Sequence, residues 1–175
     1  RSLSLSYYGM QFAHTGIAIM LVGVGLTSYF STERSVLLNP GESVELGSYS
    51  FQFEGSEAFR GPNYIGDRAT IFVSRGDYLL PSLYPETRIY LASGTPSTEM
   101  AIDAGFLRDL FITLGEEKEG GAWTMTVYVK PFVRWVWLGS IFMALGGTVA
   151  AVDKRYRRLR QRKSSKDKEQ VGSMQ

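Results

Sequence analysis

Cysteine is absent from all 175 residues. That excludes a disulfide framework, a thiolate metal site and a cysteine nucleophile. Histidine occurs once, as His14. A histidine-cluster metal site is therefore excluded, and a Ser-His-Asp triad would have to use that residue. No Walker loop, nucleophile elbow or Rossmann fingerprint is present, and Gly23-Val-Gly25 is too short to count as one. The first residue is Arg1, and the start lacks the ordered basic flank, apolar core and cleavage site of a signal peptide. The sequence thus reads as the C-terminal part of something longer.

Two long runs are short of charge: the first has no Asp, Glu, Lys or Arg, and the second has only Arg134. The first extends over residues 7–30, where only Gln11, His14, Thr15, Thr27 and Ser28 interrupt the apolar and aromatic residues. As a helix it would reach about 36 Å, enough to cross a hydrocarbon core of about 30 Å with some tilt. Tyr7, Tyr8, Tyr29 and Phe30 suit the two interfaces. The second run covers residues 132–152, with Trp135 and Trp137 near its start and Asp153, Lys154 and Arg155 ending it. Arg134 lies close enough to the edge to snorkel outward. Soluble helices of this length carry a polar face, and these carry none, so both runs read as transmembrane helices.

The net charge of +2 is a cancellation. From Asp153 onward there are nine Lys/Arg against three Asp/Glu, and the rest of the chain holds ten against fourteen. Basic residues this close to a span are retained in the cytoplasm. The expected arrangement is a transmembrane helix at 7–30, an external domain at 31–131, a second transmembrane helix at 132–152 and a basic cytoplasmic tail at 153–175. In a bacterium the external side is the periplasm. The tail has no aromatic interleaving beyond Tyr156, which argues against a nucleic-acid arm.

Residues 31–131 read as mostly β. Val44 and Leu46, then Tyr49, Phe51 and Phe53, alternate with polar residues, as do Ala69, Ile71 and Val73, and Trp123, Met125, Val127 and Val129. Turn signals separate them at Asn39-Pro40-Gly41, Arg60-Gly-Pro-Asn63, Arg75-Gly76-Asp77 and Gly120-Gly121. Residues 98–114 are ambiguous: Thr98-Glu99 could open a short helix, and Leu107–Leu114 fits helix or strand. Five or six strands in about a hundred residues suggest a small barrel or sandwich.

His14 is the sharpest chemical feature. An ionisable side chain inside a span should face protein or a cofactor. Three roles fit: a hydrogen bond to a neighbouring helix, an axial bond to haem iron, and a step in a proton relay. Gly9, Gly16 and Gly23 recur every seven residues, opening a flank to close approach. Gly16 points well away from His14, so these glycines could pack another helix. Gly139, Ala144, Gly146 and Gly147 in the second run read as helix packing. In the outer domain, Asp103 and Asp109 with Glu99 nearby could form a carboxylate site, although salt-bridged surface is the plainer reading. Arg60-Gly-Pro-Asn63 reads as a structured turn whose exposed ends could touch a partner. Paired intramembrane charges are absent, which argues against a transporter or channel.

Several stretches resemble, in order, the C-terminal portion of the CcmF/NrfE family of cytochrome c-type biogenesis proteins. They are Ser6-Tyr-Tyr-Gly-Met10 with Ala13-His14-Thr-Gly16, Arg60-Gly-Pro-Asn63, Tyr84-Pro-Glu-Thr-Arg88 and Thr98-Glu-Met-Ala-Ile-Asp103. Arg108-Asp109-Leu110, Leu114-Gly-Glu116, Gly121-Ala-Trp123 and Lys130-Pro-Phe-Val-Arg-Trp-Val-Trp-Leu-Gly139 follow. The resemblance implies a multi-pass inner-membrane haem lyase that joins haem to apocytochrome c and holds a haem b in the membrane. It implies that His14 is one axial ligand of the haem iron, the second lying outside this sequence. No residue here matches a catalytic role, because the family's tryptophan-rich haem-handling motif and external histidines have no counterpart. Implied partners are the remainder of the CcmF-like chain, a CcmE-like haem chaperone, apocytochrome c, CcmH/CcmI-like thiol-handling subunits and lipid, with no nucleic acid. The alternative is a non-catalytic assembly module that only gathers maturation partners.

Overall fold

The computed structural model describes residues 4–152. The tail expected at 153–175 lies outside the described residues. The chain divides into a helix pair, up to Val24 and from Trp135, and a β-rich unit, Gly25–Arg134. The first helix, α1, runs Leu5–Phe30, and the last, α2, runs Val133–Val152. Both are long and apolar enough to cross a membrane. Ser4 caps α1: its Oγ accepts from the Tyr7 amide at 3.3 Å, satisfying an orphan donor of the first turn. Ser31 closes the other end by donating its hydroxyl to the Thr27 carbonyl at 2.6 Å.

The helix pair is built on opposed glycines. Gly9, Gly16 and Gly23 are the buried residues of α1, and Gly139 and Gly146 those of α2. A Cβ on Gly16 would stand 2.6 Å from the Gly139 carbonyl oxygen, and one on Gly139 would stand 2.5 Å from that of Gly16. Gly9 meets Gly146 at 2.6 Å in the same way. The steps run in opposite directions along the two helices, so the pair is antiparallel and backbone packs on backbone. The seven-residue glycine repeat is therefore a helix-packing seam. Gly147 has open space around it and takes no part.

The β-rich unit is a sandwich of ten strands, more than the five or six expected. In chain order they are β1 (Thr32–Leu38), β2 (Ser43–Leu46), β3 (Tyr49–Arg60), β4 (Tyr64–Arg75), β5 (Tyr78–Leu83), β6 (Glu86–Tyr90), β7 (Pro96–Glu99), β8 (Ala101–Ala104), β9 (Arg108–Glu117) and β10 (Trp123–Pro131). One sheet has the order β1-β10-β9-β8. The other runs β2-β3-β4-β6-β7, with β5 paired to the second half of β4. All pairings are antiparallel. Phe51, Phe53, Ala69 and Ile71 from one sheet and Leu110, Ile112, Leu114 and Val127 from the other are fully buried between them. Period-two alternation puts these apolar side chains on the inner faces.

Residues 98–114 contain no helix. Thr98-Glu99 ends β7, and Leu107 leads into β9. Burial decides it: Leu110, Ile112 and Leu114 are inside while Phe111 and Thr113 are half-exposed. The chain enters α2 through Phe132, a non-glycine residue at φ 59°. That left-handed conformation is unfavourable for a bulky residue. It is held by the Phe132 amide donating to the Leu107 carbonyl at 2.9 Å. Thr27 at the end of α1 donates its hydroxyl to the Pro131 carbonyl at 2.7 Å.

Candidate functional site

His14 is exposed on α1. Its Nδ1 lies 2.8 Å from the Met10 carbonyl oxygen, one turn back in the same helix. A carbonyl only accepts, so Nδ1 carries the proton and the neutral ring keeps its lone pair on Nε2. The Nδ1 partner is the helix's own backbone. At 100° per residue, His14 points about 160° away from Gly16 and hence from the glycine seam. Met10, Ile17 and Leu21 lie on its side of α1, all exposed. Nε2 is thereby left to accept a hydrogen bond or to bind a metal ion from an apolar helix face.

The carboxylates proposed as a possible site do not converge. Asp103 is paired with Arg108 at 2.6 Å. Asp109 accepts from the Gly105 amide at 3.0 Å and lies 3.8 Å from Arg134. Glu99 is 3.7 Å from Arg88. Among the described residues no group of acidic or histidine side chains could hold a metal ion. Asp103 and Glu99 are salt-bridged, as the plainer reading had it, whereas Asp109 is buried at 7% exposure. Arg60-Gly-Pro-Asn63 is the turn between β3 and β4, closed by the Gly61 amide donating to the Tyr64 carbonyl at 2.9 Å.

Sequence reasoning missed a polar cluster beside this turn. Glu86 on β6 is 7% exposed and is gripped from both sides. Arg68 Nε donates to one oxygen at 2.7 Å, and Arg88 Nε donates to the other at 2.8 Å. Burial alone would raise the Glu86 pKa, but the hydrogen bonds from Arg88 and Arg68 and their charges outweigh it and hold the carboxyl below its ordinary value. The Arg68 guanidinium lies 4.7 Å from the Phe59 ring centroid and that of Arg88 4.6 Å from Tyr64. Tyr64 meets Phe59 and Tyr90 edge-on. The opposite face of these strands forms an open groove lined by Ala58, Arg60, Ile65, Asp67 and Ile89. The Glu-x-Arg spacing of Glu86 and Arg88 was a visible signal. The Arg68 contribution depends on the β4–β6 register and was not.

A family model described as the CcmF C-terminal beta-sandwich matches residues 29–131. The chain belongs to the CcmF family. It is 50% identical over 157 residues to the cytochrome c-type biogenesis protein CcmF of Pseudomonas aeruginosa, covering 90% of this chain and 24% of that protein. The CcmF of Escherichia coli K12 is 45% identical over 155 residues, covering 89% of this chain and 24% of that protein. The cytochrome c-type biogenesis protein NrfE of Haemophilus influenzae is 35% identical over 146 residues, covering 83% of this chain and 23% of that protein. The chain thus spans about a quarter of the length of these relatives. A solved structure of the cytochrome c haem lyase CcmF superimposes with a TM-score of 0.68 over 81% of this chain and 24% of that one, at 22% identity. That likeness extends the fold assignment to CcmF architecture.

Proposed function

We propose that this chain serves in cytochrome c biogenesis as the C-terminal part of a haem lyase in the bacterial inner membrane. In this reading residues 7–30 and 132–152 span the bilayer. Residues 31–131 lie in the periplasm, and the tail from 153 to 175 lies in the cytoplasm. His14 would hold a haem b through its iron, the second ligand coming from another part of the protein. The observation that carries the reading is the Met10 carbonyl on His14 Nδ1, which leaves Nε2 as a fixed lone-pair donor at an apolar helix face. When bound, the haem would supply a one-electron couple. The residues of this chain do the rest: His14 binds iron, the Met10 carbonyl fixes the tautomer, and Ile17 and Leu21 help exclude water. Family membership and the names of the relatives supply the process.

In this reading the β-sandwich is a docking domain, whose Arg60–Asn63 turn and the open groove beside it present accessible surface to partners. A haem chaperone, apocytochrome c and thiol-handling subunits are the partners the process requires. The test is c-type cytochrome maturation in cells that carry the full protein. His14→Ala is expected to abolish haem attachment while the protein stays in the membrane. Normal maturation in His14→Ala, with maturation lost only when residues 31–131 are removed, would leave a gathering module and overturn the haem-ligand role.

A further inference from the structure

Within the β-rich unit, the end where the chain enters at β1 and leaves after β10 carries several exposed apolar side chains. Tyr29 and Phe30 at the end of α1 are 82% and 54% exposed, Phe106 and Leu107 before β9 are 61% and 58%, and Tyr78 and Leu79 after the β4–β5 turn are 80% and 83%. The core is complete without them, with Phe51, Phe53 and Ile71 fully buried.

A chain of contacts places the three pairs at one end. Thr27 bonds to Pro131, and Phe132 bonds to Leu107. Arg108, next in sequence, donates to the Tyr49 hydroxyl at 3.0 Å. The Arg75 guanidinium lies 5.6 Å from the Tyr49 ring centroid, and Arg75 pairs across the turn with Tyr78. The Arg60–Asn63 turn lies at the other end of β4, roughly 35 Å away at the rise of an extended strand.

We propose that the Tyr78–Leu79 and Phe106–Leu107 turns, with Tyr29 and Phe30, rest in the headgroup and upper acyl region of the leaflet from which α1 and α2 emerge, seating the sandwich on the bilayer. The occupant of this patch is lipid. Aromatic side chains concentrate at that depth, and Arg75 and Arg134, both exposed and the latter 3.8 Å from Asp109, lie beside the turns, where a long basic side chain can reach lipid phosphate. The patch is also continuous with the chain's own entries into α1 and α2. The inference rests on the reading of those helices as bilayer spans.

These 175 residues contribute no cysteine, so a spin-label test in the full protein, with any cysteine elsewhere in it replaced, is made in phospholipid vesicles. Labels are placed at Leu79→Cys, Leu107→Cys, Leu91→Cys as the distal reference, and Ile141→Cys within α2. Oxygen partitions into lipid and a nickel chelate into water, so their relaxation ratio reads depth. The expected result is a ratio at Leu79 and Leu107 severalfold above that at Leu91 and below that at Ile141. Leu79 and Leu107 matching Leu91 would overturn the seating while Ile141 still read lipid. Low access to both reagents would mean that protein covers the patch, which also overturns it. A watery Ile141 would instead remove the bilayer reading itself.

Discussion

Replacing Gly16 by alanine tests the close-packed helix seam. The added methyl carbon would stand 2.6 Å from the Gly139 carbonyl oxygen and 2.7 Å from the Met143 amide nitrogen, where ordinary contact begins at 3.4 Å. Both opposing atoms are backbone, so no side chain can swing aside. The helices must part by roughly 0.8 Å, a gap that forfeits about a quarter to a half of each dispersion contact along the seam. Overpacking of this kind costs about 1–3 kcal/mol. Alanine's helix propensity returns up to about 1 kcal/mol. The net expectation is a loss of about 1–2 kcal/mol, in spite of a substitution that favours helix. Gly147→Ala on α2 is the control, because nothing lies within 4 Å of its added carbon; it should gain up to about 1 kcal/mol. Thermal unfolding in mild detergent, followed by far-ultraviolet circular dichroism, should move the midpoint down for Gly16→Ala and up for Gly147→Ala. Equal shifts in one direction would refute the close-packed seam.

Two further outcomes follow from the β-sandwich. Glu86→Gln removes the charge that Arg68 and Arg88 share. The expected loss is about 2 kcal/mol by urea unfolding, below the ~3–5 kcal/mol of a fully buried pair because Arg68 is 39% exposed. The Glu86 carboxyl titrates below its usual 4.5, so its contribution is complete above that pH and disappears as pH falls through the depressed value. The stability difference between wild type and Glu86→Gln should therefore close on acidification; a difference constant into strong acid contradicts the ion-pair account. Sidedness is tested by Leu91→Cys in intact cells: a membrane-impermeant maleimide should reach it from the periplasm, and labelling only after inner-membrane permeabilisation would invert the proposed topology.

Much of the fold is legible wherever one periodicity dominates. The alternations around Val44–Phe53, Ala69–Val73 and Trp123–Val127 coincide with buried positions in β2, β3, β4 and β10. Residues 107–114 were not legible because Leu107, Leu110, Phe111 and Leu114 also recur at helical spacing; burial of Leu110, Ile112 and Leu114 between the sheets selects strand. The strand count was underestimated because β7 and β8 have four residues each, too few to show a period. Pro81 further disguises β5, which tolerates it at a sheet margin. His14 stands out as the one ionisable group in its span, and the glycine repeat announces close packing, yet only the paired helix shows which partner the glycines serve. The Glu86 cluster is assembled from β4 and β6 by register, information that no local pattern holds.

The central claim is that His14 binds haem iron, and absorbance of the purified full-length protein tests it most directly. The account predicts a Soret band and an alkaline-pyridine spectrum of haem b in the wild type. Both should be lost in His14→Ala and restored in His14→Gly by added imidazole. Unchanged haem content and an unchanged Soret band in His14→Ala would contradict it.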